Sequence, residues 1–340
     1  MKARAKMIHE PLLTIAIPTY NGSRTIKNML DLLLPQCNDK VQLLISDNCS
    51  TDSTEEIIAD YKKVWTKIEY HRNEVNIGPD ANFLQCMRMA KGHFTWLVSD
   101  DDIVVEGAVE KITGFLEKHP DMGLVYLTTR DFRGAYHCID ECTIHKPEVK
   151  DDLYTVNKSE FMTYAGSYWG FMSSYICNTA RFKEISDPEQ YYGTYWLQSY
   201  IHALCAKGNN AALGVVKGPC VGAGVYINTA NFDSALINGI YYKKLIDFMI
   251  GSAQFNAKQL NELYIKRLCL LGRHDVIKEK SAGIHNINKK LLFDCTWRFP
   301  RAWVTLYPAF LIPGFICKPA MRLYRKRRGI RDEIRINRPE

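Results

Sequence analysis

From residue 12 to residue 127, short apolar runs rich in β-branched residues alternate with stretches whose apolar positions recur at helical spacing. That alternation leaves few folds open, because each strand followed by a helix returns the chain to the same edge of a sheet. Leu12-Leu13-Thr14-Ile15-Ala16-Ile17 is the first run, stopped by Pro18, with turn chemistry in Thr19-Tyr20-Asn21-Gly22. Ser23 is placed to cap a helix in which Ile26, Met29, Leu30 and Leu33 share one face. The second unit repeats the pattern. Val41 to Ser46 reads as strand, Asp47 to Asp52 as loop, and Asp52 with Glu55 as a capping box ahead of a stripe of Ile57, Ile58, Tyr61 and Trp65. A third strand is expected over 67–71. Gly78-Pro79 then opens a helix with Phe83, Cys86, Met87 and Ala90 inward. A fourth strand over 93–98, a helix carrying Val105, Ala108, Ile112 and Phe115, and a strand over 122–127 complete a mostly parallel, doubly wound α/β sheet.

The fourth strand ends abruptly in Trp96-Leu97-Val98-Ser99-Asp100-Asp101-Asp102. Three adjacent carboxylates repel one another unless a cation holds them. Oxygen-only ligands suit a hard divalent ion such as Mg²⁺ or Mn²⁺, which draws its remaining ligands from water and substrate phosphate. The competing reading is an acidic loop that opens the next helix. Asp47 also sits at a carboxyl strand end, where open α/β sheets bind ligands, and it too has a plain alternative as an Asx-turn residue. No GxGxxG follows any strand, so a dinucleotide-binding dehydrogenase lacks its phosphate fingerprint.

At 340 residues the chain has room for about two structural units. Its net charge of +7 is concentrated: residues 318–340 hold nine Lys/Arg against three acidic residues, which leaves the remainder at +1. A tail this basic points to an anionic partner surface. Eleven scattered cysteines, several inside apolar runs, fit reduced thiols in a cytoplasmic setting. His137, Cys138, Cys142 and His145 cluster in sequence, but their spacing matches no zinc pattern. The N-terminal segment lacks the apolar core and cleavage site of a signal peptide.

The stretch 164–171, YAGSYWGF, is aromatic and glycine-rich, a composition suited either to stacking on sugar rings or to ordinary core packing. Ser186-Asp187-Pro188-Glu189 precedes a helix that contains Trp196 and Tyr200. Residues 231–300 read as a helical extension, with Leu260, Leu263, Tyr264, Arg267, Leu268 and Leu271 at helical spacing. Residues 302–317, AWVTLYPAFLIPGFIC, are too short and too broken by proline for a spanning helix, which needs about 20 apolar residues. An apolar wedge beside a polybasic run is a two-signal pattern for peripheral attachment to an anionic membrane face. The alternative is a buried C-terminal helix with a solvated tail.

TIAIPTYNG, LLISDNCSTDSTEE, RNEVNIGPDANF and WLVSDDDIV, in that order, resemble the nucleotide-binding half of a family 2 glycosyltransferase with the GT-A fold. The resemblance covers about residues 10–130 strongly and 160–230 weakly. It is closest to abequosyltransferase-like enzymes that build bacterial O-antigen or capsule repeats. It implies a catalytic domain over 10–230, with nucleotide-sugar binding in 10–130 and the acceptor side in 131–230. The helical extension and a membrane-associating tail over 301–340 would follow. Thr19 and Tyr20 would touch the nucleotide, Asp47 would accept a hydrogen bond from the base, and Asn76 and Gly78 would lie along the donor. The family's Asp-x-Asp metal motif falls on Ser99-Asp100-Asp101, making Asp101 the metal ligand; the shifted frame Asp100-Asp101-Asp102 adds Asp102. The Glu-Asp pair that serves inverting members as general base is missing, since the equivalent stretch reads Gly193-Thr194-Tyr195. Asp187 and Glu189 are the nearest carboxylate substitutes. The implied reaction is metal-dependent, inverting transfer from a nucleotide-sugar to a polyprenyl-diphosphate-linked saccharide at the inner membrane face.

Three other classes compete. A sugar nucleotidyltransferase would need a glycine-rich, Arg/Lys-bearing triphosphate loop after the first strand, which is missing. An inactive GT-A assembly partner is favoured by the missing Glu-Asp pair. A nucleic-acid binder is prompted only by the basic tail, with no accompanying recognition motif.

Overall fold

The computed structural model describes residues 10–132, 143–144, 149–224, 235–271, 276–282 and 289–327; the His137, Cys138, Cys142 and His145 cluster lies outside them. The chain divides into two compact units, one of residues up to 193 with 197–225, the other of 194–196 with the residues from 226 onward.

In the first unit, β1 (Leu13–Thr19), α1 (Ile26–Leu33), β2 (Val41–Asp47), α2 (Thr54–Val64), β3 (Ile68–Arg72), α3 (Pro79–Met89) and β4 (Phe94–Leu97) follow the alternation read from the sequence. The four strands lie side by side in the order β3-β2-β1-β4, every neighbour parallel. Both faces of β1 are covered, so all seven of its residues are buried, as expected of a continuous apolar run in a parallel sheet. Pro18 does not stop β1. The β4 ladder has already ended at Ala16–Leu97, so a missing N–H two residues later costs that side no pairing, and the strand runs on to Thr19.

β5 (Ile103–Val104), α4 (Ala108–Lys118), β6 (Met122–Phe132), β7 (Thr143–Ile144), β8 (Leu153–Thr155), α5 (Lys158–Ala165), β9 (Tyr175–Asn178), α6 (Thr179–Lys183), α7 (Leu197–Cys205) and β10 (Ala212–Gly224) complete the unit. Beyond β4 the sheet becomes mixed. β9 inserts antiparallel between β4 and β6, and β10 runs parallel to β6 with a register shift between Val216 and Val221.

Helix faces match their stripes with small shifts. Ile26, Met29, Leu30 and Leu33 of α1 are all fully buried, each contributing about 1.5–3 kcal/mol of transfer free energy. In α2 only Ile58 and Thr54 are buried, while Ile57, Tyr61 and Trp65 pack at the core's edge. In α3 Leu84, Cys86 and Met87 point inward and Phe83 is half-buried. Ser23 does not cap α1: its N–H instead donates to Asp52 Oδ2 (3.1 Å), and Asp52 Oδ1 accepts from the N–H of Thr54 (3.1 Å). Asp52 therefore ties two loops together. Glu55 forms no capping box but pairs with Arg72 at 3.2 Å. Within the aromatic stretch, Trp169 is core, with its ring against Tyr175 and His202. His202 is fully buried, and that burial pushes its imidazole down to about 3, so it is neutral packing material at neutral pH.

The second unit is helical: α8 (Tyr242–Gly251), α9 (Ala257–Leu270), α10 (Val276–Ala282), α11 (Lys289–Thr296), α12 (Pro300–Thr305), α13 (Tyr307–Leu311) and α14 (Gly314–Arg327). Arg267 of α9 lies over the rings of Tyr242 and Trp196, 4.6 and 5.2 Å from their centroids, an arrangement that keeps its charge partly desolvated yet compensated. Lys280 donates to the carbonyls of Phe310 (2.8 Å) and Ile312 (2.5 Å) at the carboxyl end of α13, where a cation suits both the orphan carbonyls and the helix dipole. No single described helix is long and apolar enough to cross a membrane. Pro300–Leu311 and Gly314–Leu323 meet that test only together, bent by 107°.

Candidate active site

The strand order reverses between β1 and β4, since the chain builds outward from β1 through β2 to β3 and then returns to the other side of β1. Such a switch point opens a crevice at the carboxyl ends of the strands. Thr19, the last residue of β1, donates its hydroxyl to Asp100 Oδ2 (2.5 Å) directly across it. Gly22 lies against both: a Cβ there would collide with Asp100 Oδ2 and Thr19 Oγ1. Only a residue without a side chain lets the first loop close on the aspartates.

The three aspartates separate in role. Asp100 and Asp101 are half-buried at the crevice. Asp101 Oδ1 accepts from Ser99 Oγ, and its Oδ2 takes no hydrogen bond among the described residues. Asp102 is turned inward. It is 2% exposed, and its Oδ2 accepts from Ser173 Oγ (2.6 Å), which in turn accepts from the N–H of Ser99 (2.9 Å). Assigning Asp102 to a metal thus meets a physical obstacle: the carboxylate is withdrawn from solvent and holds the loop onto the segment before β9. Among the described residues no three His, Cys, Asp or Glu side chains are arranged as a metal cage. One or two carboxylates beside an open crevice still fit a divalent ion that arrives with a diphosphate, because Mg²⁺-type ions use few protein ligands and complete their shell from phosphate and water.

Asp47 is fully enclosed. Its Oδ1 accepts from the N–H (2.8 Å) and hydroxyl (2.6 Å) of Ser50, and its Oδ2 accepts from Tyr70 OH (2.8 Å), with Arg72 Nε at 3.8 Å. Burial first, and the bond to Asp47 next, push the Tyr70 phenol well above its usual range. In this arrangement Asp47 shapes the 48–52 loop, held by Ser50 on one oxygen and Tyr70 on the other. That is the Asx-turn alternative, extended by Tyr70. Around it Asn48, Asn73, Asn76, Asn82 and Gln85 form a polar network joining the ends of β2 and β3 to α3: Asn48 Nδ2 donates to Asn76 Oδ1 (2.7 Å), Asn48 Oδ1 accepts from the N–H of Ile77 (2.9 Å), and Gln85 Nε2 donates to Asn73 Oδ1 (2.7 Å). Saturated networks of this kind fix a rim rigidly. Asn76 is exposed on that rim, and Gly78 caps α3 at a positive φ of 84° that favours glycine. Tyr20 presents its ring to solvent, 41% exposed.

Glu189 is not brought to this edge. Glu189 forms an exposed ion pair with Arg88 near the C-terminal end of α3, and the Arg88 bond is the first cause that holds its carboxyl below the usual range. α3 enters at the carboxyl edge of the sheet and leaves toward the start of β4, so Arg88 lies eight residues, roughly 12 Å, down the helix from Asp80 in its first turn. Asp187 is exposed, at a φ of 50°, at the start of the same short turn.

Sequence reasoning missed Ser173, Tyr70 and Asp80. Ser173 sits in an irregular stretch without periodicity, and Tyr70 reads only as a strand residue. Asp80, inside NIGPDANF, was legible as a charged residue in a helix's first turn. It is half-buried, its Oδ2 accepts from the N–H of Gly193 (2.8 Å), and burial pushes its carboxyl up.

Residues 14–176 match the family model described as glycosyl transferase family 2. The chain is 28% identical over 274 residues to abequosyltransferase RfbV of Salmonella typhimurium, covering 76% of this chain and 77% of that protein. It is 21% identical over 205 residues to the GalNAc(5)-diNAcBac-PP-undecaprenol beta-1,3-glucosyltransferase of Campylobacter jejuni, covering 56% and 60% of the two chains. In fold it is similar to residues 1–349 of TarS from S. aureus, solved with UDP-GlcNAc, at a TM-score of 0.61 and 14% identity over 93% of this chain and 92% of that one. The sheet is of the GT-A type, and residues 14–176 are similar to glycosyl transferase family 2.

Proposed function

We propose that this glycosyltransferase moves a sugar from a nucleotide-diphosphate donor to a hydroxyl of a polyprenyl-diphosphate-linked saccharide, with inversion at the anomeric carbon and a divalent ion, Mg²⁺ or Mn²⁺, bound with the donor. The observation that carries the reading is the Thr19–Asp100 contact across the strand-order reversal, with Asp101 beside it and a glycine closing the loop. Asp101, assisted by Asp100, would hold the ion. When bound, it supplies charge stabilisation for the departing nucleoside diphosphate. Thr19 orients Asp100, Tyr20 offers an exposed ring for the nucleotide, and Asn76 and Gly78 form the rim along which the donor lies. Asp47 keeps that rim in shape from beneath.

A lipid-linked acceptor is supported by the name of the Campylobacter relative and by the second unit. Trp297, Trp303, Val304, Leu311 and Phe315 are exposed there, and Arg298, Arg301, Lys318 and Arg322 are exposed on the same α11–α14 segment. Exposed Trp and Phe beside Arg and Lys suit the headgroup region of an anionic bilayer. The test is a donor panel: thermal shift and calorimetry with UDP-, GDP-, CDP- and dTDP-sugars, with and without Mn²⁺. One nucleotide series should bind in a metal-dependent way; no binding by any of the four would overturn the proposal.

A further inference from the structure

The Glu-Asp pair that the resemblance implies is missing from Gly193-Thr194-Tyr195, and Glu189 is held by Arg88 toward the far end of α3. Asp80 stands in the first turn of α3, at the carboxyl edge of the sheet, two residues after the rim residue Gly78. The peptide N–H of Gly193, the first residue of the stretch where the pair is expected, donates to its Oδ2 (2.8 Å), while its Oδ1 accepts no hydrogen bond among the described residues. We propose that Asp80 is the catalytic base, with Gly193 fixing one carboxylate oxygen and the other taking the acceptor's proton.

This rests on the sugar-transfer reading above. In the step, the acceptor oxygen bonds to the anomeric carbon, the bond from that carbon to the diphosphate oxygen breaks with its electron pair leaving on the diphosphate, and the hydroxyl proton passes to Asp80 Oδ1. The surroundings suit a base. Burial raises the carboxyl, and no described Lys, Arg or His pairs with it to hold its proton affinity down. The titratable side chain beside it is Tyr192, whose phenol is itself pushed up, first by burial and then by the charges of Glu189 and Asp80, with Arg88 opposing.

The experiment compares wild type with Asp80→Asn, Asp80→Glu, Asp187→Asn and Glu189→Gln. The readout is nucleoside-diphosphate release from UDP-GlcNAc, GDP-mannose and the CDP- and dTDP-sugars, with Mn²⁺ and synthetic polyprenyl-diphosphate monosaccharides, across pH 5 to 9. Asp80→Asn keeps the acceptor for Gly193, so it should fold and bind donor within about threefold of wild type. Its kcat should fall about 10²–10⁴-fold, and the acid limb of the wild-type pH profile should disappear. Asp80→Glu should recover part of the rate, and the other two variants should stay near wild type. Wild-type kcat and an unchanged acid limb in Asp80→Asn would overturn the assignment while leaving sugar transfer standing. A wild type that transfers from no donor would overturn both.

Discussion

Asp100, Asp101 and Asp102 are adjacent in sequence, yet their environments assign them three tasks. Asp100 is pinned by Thr19, Asp101 is half-buried with one oxygen accepting from Ser99, and Asp102 is buried against Ser173. On the proposed function, replacing Asp101 by Asn weakens the hold on the ion that would offset charge on the departing diphosphate. Transfer should drop by at least about 100-fold, with the melting temperature unchanged; turnover equal to wild type would remove Asp101 from the metal site. The sequence foretold an acidic site at this strand end but could not divide the labour. Burial of one carboxylate depends on a serine 71 residues away. Asp47 teaches the same lesson in reverse: its place at a strand end was readable, but the Tyr70 hydroxyl that closes over it comes from the neighbouring strand.

At the scale of elements, the first loop and α3 decide the site. Gly22 lets the turn after β1 approach the aspartates, and its carbonyl accepts the N–H of Thr25 (3.0 Å) and Ile26 (2.9 Å), starting α1. Gly22→Ala forces the Thr19–Asp100 contact apart. It should cost about 1–3 kcal/mol of stability and weaken donor binding more than tenfold by calorimetry; wild-type affinity would show that the contact is incidental. The polarity of α3 separates Asp80, in its first turn, from the Arg88–Glu189 pair near its last. Strand and helix existence follow from periodicity, and so the four parallel strands were legible. The insertion of β9 between β4 and β6 was not, because antiparallel pairing over long separations leaves no local pattern.

Over the whole molecule, an α/β unit holds the candidate site and a helical unit carries an exposed apolar and basic surface. Composition announced that surface, and proline placement correctly argued against a straight span. Deleting it outright would also remove Leu306 and Cys317, which are fully buried. Point replacement is the cleaner test. Trp303→Ser with Leu311→Ser and Phe315→Ser should abolish co-sedimentation with phosphatidylglycerol vesicles while the donor-binding unit keeps its affinity. Undiminished sedimentation would mean that this face does not meet lipid.

The central claim is that the crevice between β1 and β4 takes a nucleotide-diphosphate sugar together with a divalent ion. Thermal unfolding in the presence of UDP-, GDP-, CDP- and dTDP-sugars, each with and without Mn²⁺, tests it most directly. One nucleotide series at about 100 times its dissociation constant should stabilise the protein by about 2.7 kcal/mol, only with Mn²⁺ and not in Asp101→Asn. Equal melting under all conditions, or stabilisation that persists without metal and in Asp101→Asn, would contradict it.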